Sequence, residues 1–200
     1  VRAHQIIGTI NASPKKNNIM KKLILATALV AISFGATAQR YFSKTAHIKF
    51  FSHTSAEDIK ADNYKSTIII DQATGAVQVE TLIKSFEFEK ALMQEHFNEN
   101  YLESDKYPKA NFKGKGDFSK VNFAADGNYS VNVAGQMTMH GATKDVSAIA
   151  TIKIAGGKID GSTKFYVNPR DYNVQIPDVV KGQISDKIEV TVKATLQLLK

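Results

Sequence analysis

The 200-residue chain has no cysteine, no tryptophan and only four prolines. Without cysteine there are no disulfides, no thiolate metal ligands and no thiol nucleophile. Lipid attachment through an N-terminal cysteine is excluded as well. Spanning a bilayer takes about 20 apolar residues, and the apolar stretch from Leu23 to about Phe34 falls short of that. Acidic residues are missing from the first 38 positions, which carry Arg2, Lys15, Lys16, Lys21 and Lys22. The net charge of +7 is therefore mostly theirs, and the remaining chain holds 21 basic against 19 acidic residues. That remainder has no Lys/Arg block, so it lacks the dense cationic face that a nucleic-acid binder needs. With 43% hydrophobic and 22% charged residues the chain is not disordered, and its length suits one globular domain.

Met20-Lys21-Lys22, the apolar stretch after it and Ala36-Thr37-Ala38 have the order of a secretory signal: a positive start, a short greasy segment and a small-residue cleavage site. Residues 20–38 are expected to be a signal peptide cut before Gln39. Residues 1–19 are expected to be an upstream extension, with Met20 the natural start, and residues 39–200 the domain. An exported protein without cysteine suits a periplasm, where disulfides are permitted but optional.

The strongest local signal is alternation. Ile188, Val190, Val192, Ala194, Leu196 and Leu198 are apolar, with Glu189, Thr191, Lys193, Thr195 and Gln197 between them. Side chains alternate faces along a strand, so this is a ribbon with one dry and one wet side. Tyr129, Val131, Val133, Met137 and Met139 form a second row, interrupted by Gly135, which marks a bend or bulge. The same reading predicts strands near 43–52, 64–71, 76–84, 109–118, 129–139, 145–155, 158–167 and 187–199, with 85–89 extending the third. Turns are expected at Asp71–Gly75, Asp126-Gly127 and Gly156-Gly157, since glycine tolerates positive φ. Eight strands with mainly short connections make an antiparallel meander, which either closes or leaves two liable edges. Between strands, Met93, Phe97 and Tyr101 recur at four-residue spacing, which predicts a short amphipathic helix over 91–101 ended by Pro108. The stretch 168–185 is long for a hairpin loop.

No catalytic pattern emerges. His47, His53, His96 and His140 stand apart, without metal-ligand spacing, and no metal site is expected. There is no G-x-S-x-G elbow, and Gly114-Lys-Gly116-Asp lacks the third glycine of a dinucleotide loop. Glu87 and Glu89 alternate with Phe86 and Phe88, as on a solvated strand face. An enzyme working through His140 or His96 would need an acid or nucleophile within reach, and none adjoins them in sequence. An outer-membrane barrel would carry aromatic girdles at both ends; here the aromatics are scattered.

His96-Phe-Asn-Glu-Asn-Tyr-Leu-Glu-Ser-Asp-Lys-Tyr-Pro-Lys-Ala-Asn-Phe112 resembles a signature of the YceI-like family, a short helix leading into D-x-Y-P-x-A-x-F. Gly135-Gln-Met-Thr-Met-His-Gly-Ala-Thr-Lys144 resembles its second signature, G-x-L-T-x-H-G-x-T-K. The resemblance spans about 43–199. One stretch, His53-Thr-Ser-Ala-Glu-Asp-Ile-Lys-Ala61, stands where the family more usually has a glycine-bearing H-x-G…G-x-F region. The resemblance implies an all-β fold, an eight-stranded antiparallel lipocalin-like barrel with a short capping helix, and a periplasmic carrier for an apolar, isoprenoid-chain lipid. It implies no enzymatic activity and no cofactor other than a bound isoprenoid lipid or quinone. The implied partner is that lipid, with no nucleic acid and no membrane embedding after signal cleavage; a homodimer is compatible with it.

Taken from the apolar strand faces, the expected tunnel lining is Phe50, Val79, Phe86 and Phe88, then Phe97 and Phe112, then Val131, Val133, Met137, Met139 and Ile152. The helix and the 168–185 loop would form its mouth. The competing reading is a structural or stress-response barrel with a filled core, which an interior without a continuous cavity of a few hundred Å³ would favour.

Overall fold

A computed structural model describes residues 39–199. The expected upstream extension and signal peptide lie outside the described residues. Strand β1 runs Arg40–His53, β2 Asp58–Asp71, β3 Ala76–Leu82, β4 Glu87–Phe88, β5 Lys109–Gly116, β6 Gly127–Met139, β7 Ala142–Ala155, β8 Lys158–Val167 and β9 Ile188–Leu198; one helix, α1, spans Ala91–His96. All pairings are antiparallel. Pairing follows the order β1-β9-β8-β7-β6-β5-β3-β2, and β1–β2 pairing closes the ring into an eight-stranded barrel. The short β4 pairs with β2 at Ala61 and Asp62, continuing the path of β3 after a 3₁₀ turn at Ile83–Ser85. The expected third-strand extension is thus present, broken by that turn.

Inward and outward residues alternate as a barrel requires. The first two strands break the period together. On β1, Lys44 and Thr45 are both exposed, and the β1–β2 register shifts between Ser43 and Ala46 and again before Ile48. On β2, Tyr64 and Lys65 both face out, while Asn63 and Ser66 are both fully buried. The Asn63 carboxamide holds this bulge. Its Oδ1 accepts from the Lys65 N–H at 2.8 Å and the Ser66 hydroxyl at 3.2 Å, and its Nδ2 donates to the Leu82 carbonyl at 2.9 Å. For that reason β2 begins at Asp58 rather than at 64 as expected. At Gly135 the expected bend is a close approach: a Cβ there would lie 2.3 Å from the Gly114 Cα across the β5–β6 ladder.

The two barrel ends differ. At one, the chain between β5 and β6 folds inward as a plug. Phe118, Val121 and Phe123 join Tyr41, Ile154, Ile159 and Leu196 in the larger core, with the Tyr41 and Phe123 rings stacked at 4.5 Å. The expected fourth strand therefore stops at Gly116, and Asp126-Gly127 ends this plug instead of forming a tight hairpin. The turns at 72–75 and 156–157 also lie at this end, with Gly75, Gly156 and Gly157 at positive φ. At the other end, α1 and the 168–187 connection cover the opening. The β6–β7 hairpin reverses there through His140 and Gly141, at φ 48° and 74°. Two successive left-handed residues are what a type I′ turn requires, which accounts for the His-Gly pair in the second signature.

Candidate functional site

Inside the barrel lies a cavity of about 480 Å³, between the plug and the cap. Ile68, Ile70, Val77 and Val79 supply one wall from β2 and β3, and Phe165, Val190 and Val192 another from β8 and β9. Phe118 forms the floor. Polar groups are few: Ser52, Glu57, His96, Tyr101 and Gln183 come from segments near the mouth, and Thr81, Asn111, Ser162 and Thr163 from the strands. The interior is a hollow and not a filled core.

Of the residues expected to line a tunnel, Phe50, Val79, Phe86, Phe88, Phe97, Phe112, Val133, Met137, Met139 and Ile152 are on this wall. Val131 is not. It is 1% exposed and packed in the plugged end. A Cβ on Gly116 would meet the Phe118 ring at 2.7 Å and Val131 Cγ1 at 3.2 Å, so the plug sits directly against that side chain. Alternation along β6 gives the inward face of Val131 but not the path of the 117–126 chain, whose Phe118 packs over it.

The wall also uses residues beyond those expected from sequence. Ile48, Ile59, Phe165 and Val190 follow the same two-residue period as their neighbours, so the signal was present. Val174, Ile176, Val180 and Ile184 come from the irregular 168–185 stretch, where no period exists to reveal an inward face.

The cap is fastened by phenylalanines. Phe97, at the end of α1, lies 5.4 Å from Phe50, 5.6 Å from Phe86 and 5.0 Å from Phe88, ring centre to ring centre. Beyond His96 the expected helix widens into a π turn through Phe97–Tyr101, and the Leu102 N–H donates to the Phe97 carbonyl at 2.9 Å. The 54–57 loop reaches the cap through Glu57, whose carboxylate meets Lys90 Nζ at 2.9 Å. Ser52 Oγ accepts from the Ser185 N–H at 2.9 Å and anchors the second cover.

A buried histidine joins the two covers. His140 Nδ1–H donates to the Tyr172 carbonyl at 3.0 Å, and Nε2 lies 2.7 Å from Glu103 Oε2. Tyr107 packs edge-on to the His140 ring at 4.8 Å. Tyr172 is 2% exposed, and burial, with the Asp171 carboxylate beside it, pushes its phenol up to about 12. His140 stands outside the cavity lining; it holds hairpin, cap and connection together. Among the described residues no three His, Cys, Asp or Glu side chains gather as a metal site.

Residues 32–196 match the model of the YceI-like domain. A comparison with curated protein sequences gives no match. Among solved structures the chain is similar to a polyisoprenoid-binding domain from Saccharophagus degradans implicated in plant cell wall breakdown, with 14% identity over 82% of this chain and 100% of that one, at a TM-score of 0.71. It is also similar to BcnA from Burkholderia cenocepacia, with 15% identity over 76% and 96% and a TM-score of 0.62. A YCEI protein from Campylobacter jejuni aligns with 21% identity over 68% and 81% and a TM-score of 0.53. At these identities the structural likenesses establish the fold.

Proposed function

The chain belongs to the YceI-like family, and on that basis we propose that it carries an apolar chain lipid, of isoprenoid type, in its barrel. The observation that supports this reading is the apolar hollow itself, enclosed by a barrel whose outward face is polar. On β9 the outward side chains are Glu189, Thr191, Lys193, Thr195 and Gln197, and the inward ones include Val190, Val192 and Leu196. A barrel built to sit in lipid has the opposite polarity.

Magnitudes agree with such a guest. A hollow of about 480 Å³ lies within the range of small-molecule pockets, about 300–1,000 Å³. Burying about fifteen carbons yields about 12 kcal/mol. Lost rigid-body freedom costs about 4 kcal/mol at the low end, leaving about 8 kcal/mol, a micromolar complex. No catalytic group is needed for this task, and the family indicates no enzyme.

Native mass spectrometry of protein purified from its own cells, followed by lipid extraction, tests the proposal. The expected result is a retained chain-lipid adduct, and one-to-one uptake of farnesol after delipidation. Bare protein in every preparation, with no uptake, would overturn it. Export belongs to the same proposal: the mature chain begins at Gln39 in a periplasmic extract, and a mature N-terminus upstream of that residue would refute it.

A further inference from the structure

The wall of the barrel is incomplete between β7 and β8. Strand β7 pairs with β6 from Ala142 to Ile154, but with β8 only from Ala150 to Ala155. Meanwhile β8 goes on pairing with β9 as far as Val167. Residues 142–149 are therefore bonded on one side only, over about 26 Å at 3.3 Å per residue. The gap is closed at both ends. Below, the last pair is Ala150 with Thr163, reinforced by Thr163 Oγ1 donating to the Ile149 carbonyl at 2.9 Å. Above, the chain leaving β8 returns to the β6–β7 hairpin at the His140–Tyr172 contact.

Val146 and Ala148 on one lip and Phe165 on the other line the cavity and are each partly exposed. Lys144 extends the inward row of β7. It lies directly opposite Met137, which is on the cavity wall, and directly opposed residues share a face. Lys144 is nevertheless exposed. An inward ammonium reaches water only where the wall is open. Nearby Lys164, which faces out, is paired with Glu189 at 3.0 Å; Lys144 has no ion-pair partner among the described residues.

The covered mouth is the harder route. A guest passing there must part the rings around Phe97, the Glu57–Lys90 pair and the Ser185–Ser52 bond. Passing between the lips breaks no ladder hydrogen bond, because none is formed there. We propose that the gap between β7 and β8 is the cargo's portal, entered tail first, and that an oxyanion head, phosphate or carboxylate, stays at its lip on Lys144. This rests on the lipid-carrier reading above.

The test uses the whole mature domain. Ser147→Cys, exposed on the outer face of the β7 lip and outside the cavity lining, introduces its sole thiol, and one folded, delipidated sample is compared before and after capping with a bulky maleimide. Leu92→Cys, on the outer face of the cap, controls for modification as such. Capping at position 147 should slow farnesyl monophosphate uptake and release about tenfold each, with affinity unchanged; capping at position 92 should leave both rates within about twofold. Lys144→Gln should weaken farnesyl monophosphate about tenfold and leave farnesol unchanged. Unaltered rates after capping at 147, or a loss of affinity without slowing, would overturn the portal. Equal effects of Lys144→Gln on both ligands, or none on either, would overturn the head-group seat. If unmodified protein takes up neither ligand, the carrier reading itself fails, and the portal with it.

Discussion

Phe97→Ala removes the ring that the cap contributes to the phenylalanine cluster, one that touches all three other members. Each aromatic pair is worth about 0.5–1.5 kcal/mol beyond burial. Full Phe→Ala truncation in a core costs about 3–5 kcal/mol, and Phe97 is only partly buried, so about 3 kcal/mol is the expected loss. The loss should fall on the cap, because none of the barrel ladders includes Phe97. Hydrogen exchange read by mass spectrometry locates it. The Leu102 N–H, bonded to the Phe97 carbonyl, and the Ser104 N–H, bonded to that of Asn98, report on cap opening. A loss of about 3 kcal/mol speeds their exchange by about two orders of magnitude, while amides of β6 and β9 keep their protection. Phe97→Leu retains apolar volume and loses only ring geometry, for about 1 kcal/mol. If exchange over 97–104 in Phe97→Ala rises less than about threefold, the rings do not hold the cap and the reasoning is wrong. Uniform loss of protection across all strands would equally refute it, by showing that cap and barrel open as one unit.

Other outcomes follow from the same geometry. Gly135→Ala places a Cβ 2.4 Å from the Lys113 carbonyl oxygen and 2.3 Å from the Gly114 Cα, backbone atoms that cannot swing aside; it should cost about 3 kcal/mol, seen as a lower denaturation midpoint, whereas Gly157→Ala, with open space around it, should suffer only the positive-φ penalty of about 1 kcal/mol. Thr74 backbone and hydroxyl donors, then Arg40, hold the Asp71 carboxyl below its usual range; Ser119 does the same for Asp117, the Thr195 hydroxyl for Asp160, and Lys164 for Glu189. Lowered folded values mean stability that is present above the unfolded carboxylate range near pH 4 and lost as pH falls through the folded values, so urea midpoints should drop on acidification below about pH 4, and less steeply in Asp71→Asn. Tyr172 has the opposite sense: its raised value contributes stability below pH 10 that is lost as pH climbs towards about 12, and Tyr172→Phe should remove that part of the alkaline loss.

Strand identity was legible wherever one face is dry and the other wet. The β9 row from Ile188 to Leu198 is a continuous two-residue repeat and the β6 row from Tyr129 to Met139 is one broken only at Gly135, and the structure has strands there. What hid the start of β2 was Asn63 and Ser66, polar residues turned inward at a bulge, where the dry face carries no hydrophobic label. Phe118 reads as the end of a strand because an inward plug and an inward strand residue have the same composition. The cap showed itself through Met93, Phe97 and Tyr101, since a strand would turn Glu95 and Glu99 to the same face as these three. The lining from Val174 to Ile184 left no trace, since an irregular segment turns side chains inward by its path and not by its period. The opening between β7 and β8 was equally invisible: Val146, Ala148 and Phe165 alternate as though the ladder ran on, and only pairing partners reveal where it stops.

The first stave of the barrel is bonded to the last. β1 lies between β2 and β9, and the Leu199 N–H donates to the Arg40 carbonyl at 2.7 Å. A nascent chain thus carries β1 with one raw edge until the eleven-residue β9 has emerged. Nothing shorter can seal the cylinder, so truncation before Ile188 leaves two sticky margins and a greasy concave sheet open to water. Emergence of β9, more than any local preference, is the event that makes this sequence a vessel.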